Sequence, residues 1–485
     1  MEYFNYREQV FNWLFLILLV TTAYFSIGFF HGDEHFQLLE FANYLSGKTP
    51  VDHLAWEFNS QIRPSFQVWI AHFAIEGGGL VDANPFQIAF LLRLLTATLT
   101  FFVFRSWYRL TREVVQENLW GWYQGFLYFA WFIPFIFVRY SSETWSALFI
   151  MWGIILTLKS EKKQALFYAG LCFGISFICR FQSAILIGGF VLWLMLFGKA
   201  NASQLLKIIL PTIAIVLFGI ILDSQFYGEL VFTAYKYFDM NLIQGKAATF
   251  GTTPWHFYIT DILNRTQFFY GVLMLIGLLY FTVRHWKSYI TWVVIPFILI
   301  HLLIGHKESR FLFPVVAFIP IMLIVFGDEV IFKKSDRPGL RKLLLIVFWI
   351  FNVPTLIGAV FYSSKPIIEV MEKIEQISSN GPVNLYYIES NPYNQNSLPL
   401  DFYQKESNVK LIKINSPKEV PKKDKNAILF CQRKAKNSTY EIDSKWNVIY
   451  QDLPVWLTNI NFNHWVDRTT ISTLYDVNNS SELSR

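Results

Sequence analysis

Long apolar blocks repeat along this chain and leave it few ways to fold. They run for roughly 17–23 residues, about what a helix needs to cross a bilayer. Backbone polar groups in lipid must be satisfied within the segment, so helices are the expected form. We place spans near 10–30, 86–104, 118–138, 142–158, 165–179, 183–198, 206–224, 268–283, 289–305, 311–327 and 343–363. Only 16% of the 485 residues are charged and 54% are hydrophobic, too little polar surface for a soluble protein of this size. The expectation is an α-helical multi-pass membrane protein of about eleven spans.

Charge in the loops gives an orientation. One alternating set is short and basic: Arg7; Arg105, Arg109 and Arg112; Lys159, Lys162 and Lys163; Lys199 and Lys207; Arg284 and Lys287; Lys333, Lys334, Arg337, Arg341 and Lys342. Cytoplasmic loops carry such an excess. The opposite set, 31–85, 139–141, 180–182, 225–267 and 306–310, then faces away from the cytoplasm. Segment 65–75, SFQVWIAHFAI, is too short to span and is expected to lie in the interface or re-enter. The run from Val10 to Phe30 lacks a small-residue cleavage site and reads as a retained first helix.

From Ser364 the character changes. An amphipathic stretch (Ile367, Val370, Met371, Ile374, Ile377) precedes VNLYYIES, VKLIKI, NAILFCQ and WNVIYQ, short strand-like runs of a soluble α/β domain. We therefore divide the chain into a transmembrane domain, 1–363, and an extracytoplasmic accessory domain, 364–485, serving acceptor binding or packing on the external loops. Cys172, Cys179 and Cys431 build no disulfide or metal framework, and no cofactor or metal is expected. A net charge of +6 reflects basic loops and points to no nucleic-acid partner.

Polar motifs gather on the expected outer face. His31-Gly32-Asp33-Glu34-His35 follows the first span. Asp33 as a helix cap explains one of these residues, but not the whole group at a membrane surface. Neighbours on a helix point about 100° apart, so Asp33 and Glu34 do not both face one substrate. Asp33 is the candidate general base and Glu34 the reserve. His306-Lys307-Glu308-Ser309-Arg310 sits between two later spans, and its cations suit a lipid-linked phosphate. Arg139 and Arg180 occupy very short turns on the same face, where anchoring at the interface is the ordinary role. Trp255 and His256, with Tyr258, lie in an aromatic loop that fits an interfacial belt or a sugar- or lipid-binding platform.

HGDEHFQLLEFA, LAWEFNSQIRP, DSQFYG, FGTTPWHFYIT and HKESRFLFPV occur in the order found in glycosyltransferase family 22. The chain resembles these GT-C α-mannosyltransferases, which use lipid-phosphate mannose, from about residue 10 to 320. Its PWHFY loop is most similar to the GPI mannosyltransferase branch. The family commonly has His-Pro-Asp-Glu where this chain has His31-Gly32-Asp33-Glu34, a change in backbone rather than in acid chemistry. The resemblance implies Asp33 as the catalytic carboxylate and a donor or structural role for His306, Lys307, Glu308 and Arg310.

Physical chemistry leads the same way. Nucleotide sugars are absent from the outer face, so a donor there is carried on a polyprenyl or dolichyl phosphate. That leaving group needs cations, and the acceptor hydroxyl needs one base. The expected reaction is one inverting displacement onto a glycolipid or lipid-linked glycan, in a bacterial plasma membrane or the endoplasmic reticulum. His31, His35, Arg139, Arg180, Trp255, His256, His306, Lys307, Glu308 and Arg310 are the candidate binding residues. The rivals are another GT-C transfer (to lipid A, protein or a cell-wall glycan) and a lipid or sugar transporter. Transporters place ionisable groups near the midplane and repeat internally.

Overall fold

The computed structural model describes residues 2–159, 164–332, 338–404, 408–434, 442–443, 445–461 and 464–480. Lys162, Lys163, Lys333, Lys334 and Arg337 of the basic loops lie outside the described residues. Two compact units divide the chain. The first comprises Met1–Ser26, Trp56–Phe73 and Leu91–Tyr362; the second comprises Ile27–Ala55, Ala74–Phe90 and Ser363–Arg485. The second unit is thus not a contiguous C-terminal segment: the stretch carrying Asp33 belongs to it.

In the first unit every apolar block is helical. Among the described residues four stretches are long and apolar enough to cross a bilayer: Tyr6–Phe25, Pro85–Val114, Ala202–Tyr227 and Lys342–Ser378, the last interrupted at 362–365. Ser309–Val316 and Ile319–Ile331, bent by 66°, meet the criterion as a pair. Ala165–Cys179, Ser183–Leu196, Phe269–Arg284 and Tyr289–Leu303 are apolar but shorter. Length and composition therefore support four or five crossings among the described residues, fewer than the eleven expected. Segment 65–75 forms helix Phe66–Gly79, whose 14 residues reach about 21 Å and fall short of the hydrocarbon thickness.

Two of the expected spans depart from continuous helices. The block near 118–138 breaks into Trp120–Phe129 and Phe132–Phe137. Pro134 has no N–H to offer the Ala130 carbonyl. Buried Asn352 closes the gap, accepting from Trp131 N at 3.0 Å and donating to Phe129 O at 2.7 Å. The first helix ends at Phe25, short of residue 30. Close packing elsewhere relies on glycine. A Cβ on Gly170 would stand 2.2 Å from the Ile208 carbonyl oxygen, so only glycine lets Ala165–Cys179 approach Ala202–Tyr227 this closely.

The second unit is built on a mixed sheet. Its strands are β1 (Val383–Ile388), β4 (Val409–Ile414), β5 (Ala427–Lys434), β6 (Trp446–Gln451) and β7 (Thr470–Ser480); β2 (Asn394–Gln395) and β3 (Leu398–Pro399) pair separately. The order is β4-β1-β5-β7-β6, with β1 parallel to β4 and β5, and β7 antiparallel to β5 and β6. Tyr386, Ile388, Ile414, Ala427, Leu429, Cys431 and Tyr475 form a buried cluster. Helix Pro366–Ser378 buries Ile368, Val370, Met371 and Ile374, and its Glu369 accepts from Tyr450. β7 is the strand that sequence patterning passes over. Its Ile471, Leu474 and Val477 recur every three residues among Thr, Ser and Asn, which does not read as alternation.

Candidate active site

In the second unit the chain turns into the motif through His31. The imidazole Nδ1 lies 3.3 Å from the Asp33 amide nitrogen and 3.3 Å from Asp33 Oδ1. These contacts are alternatives: a bare Nδ1 caps the helix Gly32–Glu34, and a protonated one pairs with the carboxylate. His31, not Asp33, is therefore the capping residue. The Asp33 side chain keeps 20% of its surface. Glu34 turns back instead, its Oε2 accepting from Phe30 N at 3.2 Å.

Beyond Glu34 the helix widens into a π-turn over His35–Leu39, then tightens to α over Glu40–Leu45. In a regular α-helix residues five apart point about 140° away from each other. The π-turn brings His35 and Glu40 together, His35 Nε2 to Glu40 Oε1 at 2.7 Å. Glu40 is wholly buried and also accepts from Thr49 Oγ1 at 2.8 Å and from Phe402 N at 3.0 and 3.2 Å. His35, equally buried, stacks between the rings of Phe29 and Tyr403, with centroids at 4.9 and 5.3 Å. Its other nitrogen, Nδ1, has no partner among the described residues, so the tautomer with the proton on Nε2 leaves no buried N–H unpaired. The run 35–43 is buried throughout, not on one helical face alone. Gly47, at φ 72°, ends the helix.

The first unit holds the cationic cluster. Its centre is Glu143, in the first turn of helix Ser142–Lys159, where a carboxylate is favoured. Buried Glu143 Oε1 takes Arg180 Nη1 at 2.7 Å and Arg310 Nη1 at 3.0 Å. Arg180 follows the C-terminus of helix Ala165–Cys179 and also reaches Ser142 Oγ at 3.2 Å. Arg310 Nε donates to Glu308 Oε2 at 2.6 Å, and Glu308 Oε1 lies 3.0 Å from His306 Nε2. Both guanidiniums lie over the ring of Phe311, at 5.5 and 5.3 Å.

The same cluster ties down the aromatic loop. His306 Nδ1 faces Gly251 O at 2.9 Å, Thr253 N donates to Gly305 O at 3.0 Å, and buried Lys307 donates to Thr253 O and Ile304 O at 3.0 and 2.6 Å. Burial holds the Lys307 ammonium below its ordinary pKa. Trp255 and His256 ride on this loop, exposed, edge to face with each other at 5.6 Å. Arg139 is buried with its guanidinium 4.4 Å from the Phe135 ring centre.

Arg180 has capacity to spare. Its Nε and Nη2 are buried and have no partner among the described residues. Those two atoms form the side-on fork that matches two oxygens of a carboxylate or phosphate. An orphaned buried donor costs about 1–3 kcal/mol, so this edge favours a partner that supplies acceptors. Other motif segments are structural: Asp223 Oδ1 accepts from Ser65 N and Ser65 Oγ, both at 2.7 Å, and Tyr227 donates to Arg63 O at 2.9 Å. LAWEFNSQIRP and DSQFYG thus occur together because they pack together.

Sequence reasoning passed over Glu143 and Glu40. Each was legible only as a lone acid at the edge of, or within, an apolar run.

The fold is shared with ArnT from Cupriavidus metallidurans, crystallised bound to undecaprenyl phosphate: TM-score 0.58 at 10% identity over 96% of this chain and 97% of that one. That likeness defines the class, an integral membrane protein of the GT-C fold. The Alg9-like mannosyltransferase profile matches residues 10–391, and the chain belongs to that family. GPI mannosyltransferase 3 of Candida albicans is 26% identical over 312 residues, 63% of this chain and 61% of the relative. Mannosyltransferase APTG1 of Arabidopsis thaliana is 26% identical over 64% of this chain and 57% of its own length. GPI alpha-1,2-mannosyltransferase 3 of Mus musculus is 23% identical over 34% and 29%. The matches thus span less than two thirds of each relative.

Proposed function

We propose that this protein transfers mannose from a polyprenyl- or dolichyl-phosphate donor to a hydroxyl of a glycolipid or lipid-linked glycan, on the non-cytoplasmic face of its membrane. The observation that carries this reading is the open fork of Arg180, held rigid by Glu143 and backed by Arg310 and Phe311. A dry, preorganised guanidinium stabilises the charge that develops on a departing lipid phosphate. Lys307, held by Thr253 O and Ile304 O, supplies a further cation from the 306–310 segment.

In the proposed step the acceptor oxygen attacks the anomeric carbon as the bond from that carbon to the phosphate oxygen breaks. Asp33 takes the acceptor proton, and the phosphate leaves with the bonding pair. The configuration inverts. Glu34, whose Oε2 accepts from Phe30 N–H, stays the reserve base. Family membership supports mannose as the sugar, and the names of the GPI relatives support a GPI-type glycolipid as acceptor. The polyprenyl phosphate held by the fold neighbour belongs to the proposed donor class. The membrane is a bacterial plasma membrane or the endoplasmic reticulum.

The test is label transfer from polyprenyl-phosphate mannose into membrane extracts, comparing wild type with Asp33→Asn and Arg180→Gln. Incorporation by wild type, lost in Asp33→Asn and impaired in Arg180→Gln, is the expected result. Full transfer by a folded Asp33→Asn protein, or none by wild type from any lipid-linked sugar, overturns the proposal.

A further inference from the structure

The second unit contains a strap that the reaction scheme leaves unexplained. Residues Asp401–Tyr403 form a single 3-10 turn, remote in sequence from the motif, yet they touch it at three points. The Phe402 amide donates to both Glu40 oxygens, Tyr403 covers one face of His35, and Asp401 Oδ2 lies 2.7 Å from His53 Nδ1. Tyr403 in turn stacks on Phe86 at 5.2 Å, and Leu400, Phe402 and Tyr403 are all buried. These contacts meet the segment 35–53 along most of its length.

Glu40 is the keystone. A fully buried carboxylate persists only where donors surround it, and here the backbone N–H of Phe402 supplies contacts to both of its oxygens. The π-turn that lets Glu40 reach His35 starts immediately after the helix holding Asp33. A rare turn needs outside contacts to persist, and the strap provides them. We propose that the 401–403 strap and Glu40 are positioning residues for Asp33: they hold the π-turn closed and so fix the direction of the base. The inference rests on the reading of Asp33 as the base.

A base displaced by about 1 Å loses rate far more than affinity. The test uses the full chain in lipid nanodiscs, as Glu40→Gln and Tyr403→Leu. Tyr403→Phe keeps the stacked ring, and Asp424→Asn perturbs the same unit away from the strap. Two readouts are taken: hydrogen exchange of peptides covering 31–47, and kcat and KM for mannose transfer. Glu40→Gln and Tyr403→Leu are expected to speed exchange over 31–47 and to lower kcat at least tenfold, with KM within twofold. Tyr403→Phe and Asp424→Asn match wild type in both.

Unchanged exchange over 31–47 in both disrupted variants overturns the proposal, as does faster exchange with an unchanged kcat. If the disrupted variants do not fold, Asp401→Asn, which weakens only the His53 tie, is read by the same two measurements with a smaller expected change. A wild type without transfer activity defeats the reading of the function instead, and the exchange data still decide whether the strap closes the turn.

Discussion

Two buried carboxylates, Glu40 and Glu143, solve the same problem in opposite ways. Glu40 is surrounded by a histidine, a threonine hydroxyl and a backbone amide, and its network is closed. Glu143 holds two guanidiniums, one of which keeps two donors uncommitted. The first arrangement uses polar groups for shape. The second pairs two guanidiniums with Glu143 and Glu308 and still leaves one edge of Arg180 without an acceptor. Burial alone does not separate a structural acid from a functional one; the unspent donors of its partners do.

The comparison can be broken in order of effect. Asp33→Asn removes the proposed base without touching either network, and transfer is expected to fall about 10²–10⁴-fold with the melting midpoint unchanged. Glu143→Gln leaves Arg180 and Arg310 facing a neutral amide, with Glu308 still paired to Arg310. Stability is expected to drop by about 3–5 kcal/mol, read by thermal unfolding in detergent, and a smaller change would mean that Glu143 is not their main counter-charge. Glu40→Gln keeps the shape but presents an NH₂ among donors, for about 1–3 kcal/mol. A cost as large as that of Glu143→Gln would erase the distinction drawn here. Arg180→Lys keeps charge but loses the fork, so the donor KM is expected to rise while thermal stability changes less than in Glu143→Gln.

The smallest effect concerns pH. The bond to Asp401 raises the His53 pKa, while burial, ahead of the pull of His53, raises that of Asp401. Both groups bind protons more tightly when folded: the Asp401 part is full only below its ordinary value of 3.8, and the His53 part is full below the ordinary histidine value of 6.5. The His53 part is lost as pH rises through the raised His53 value. The melting midpoint should decline slightly over that window, and His53→Gln should flatten the decline. His53 is partly exposed, so solvent screening keeps the effect small.

Much of the architecture was legible. Apolar blocks announced the helices, and four of the five main strands were readable as short β-rich runs. Helix breaks were not, because Asn352, far along the chain, completes the one at Ala130–Trp131. The cationic residues Arg180, His306, Lys307 and Arg310 were legible as charges at the edges of apolar spans; the structure brings Arg180 and Arg310 onto Glu143, joins His306 to Arg310 through Glu308, and sets Lys307 on the Thr253 and Ile304 carbonyls. His35 was legible as a charged neighbour of Asp33. Its enclosure between two rings was not, since one of those rings is Tyr403.

The sequence by itself determined that this chain enters a membrane and that its acids and cations sit at the ends of apolar segments. Length and hydrophobicity decide that locally, residue by residue. Only the tertiary structure decided what each charge is for. A buried ion's role depends on which donors and acceptors surround it, and here they come from distant segments: Phe402 for Glu40, Arg310 for Glu143, Ser65 for Asp223. No local pattern encodes those meetings, because packing and not spacing brings them about.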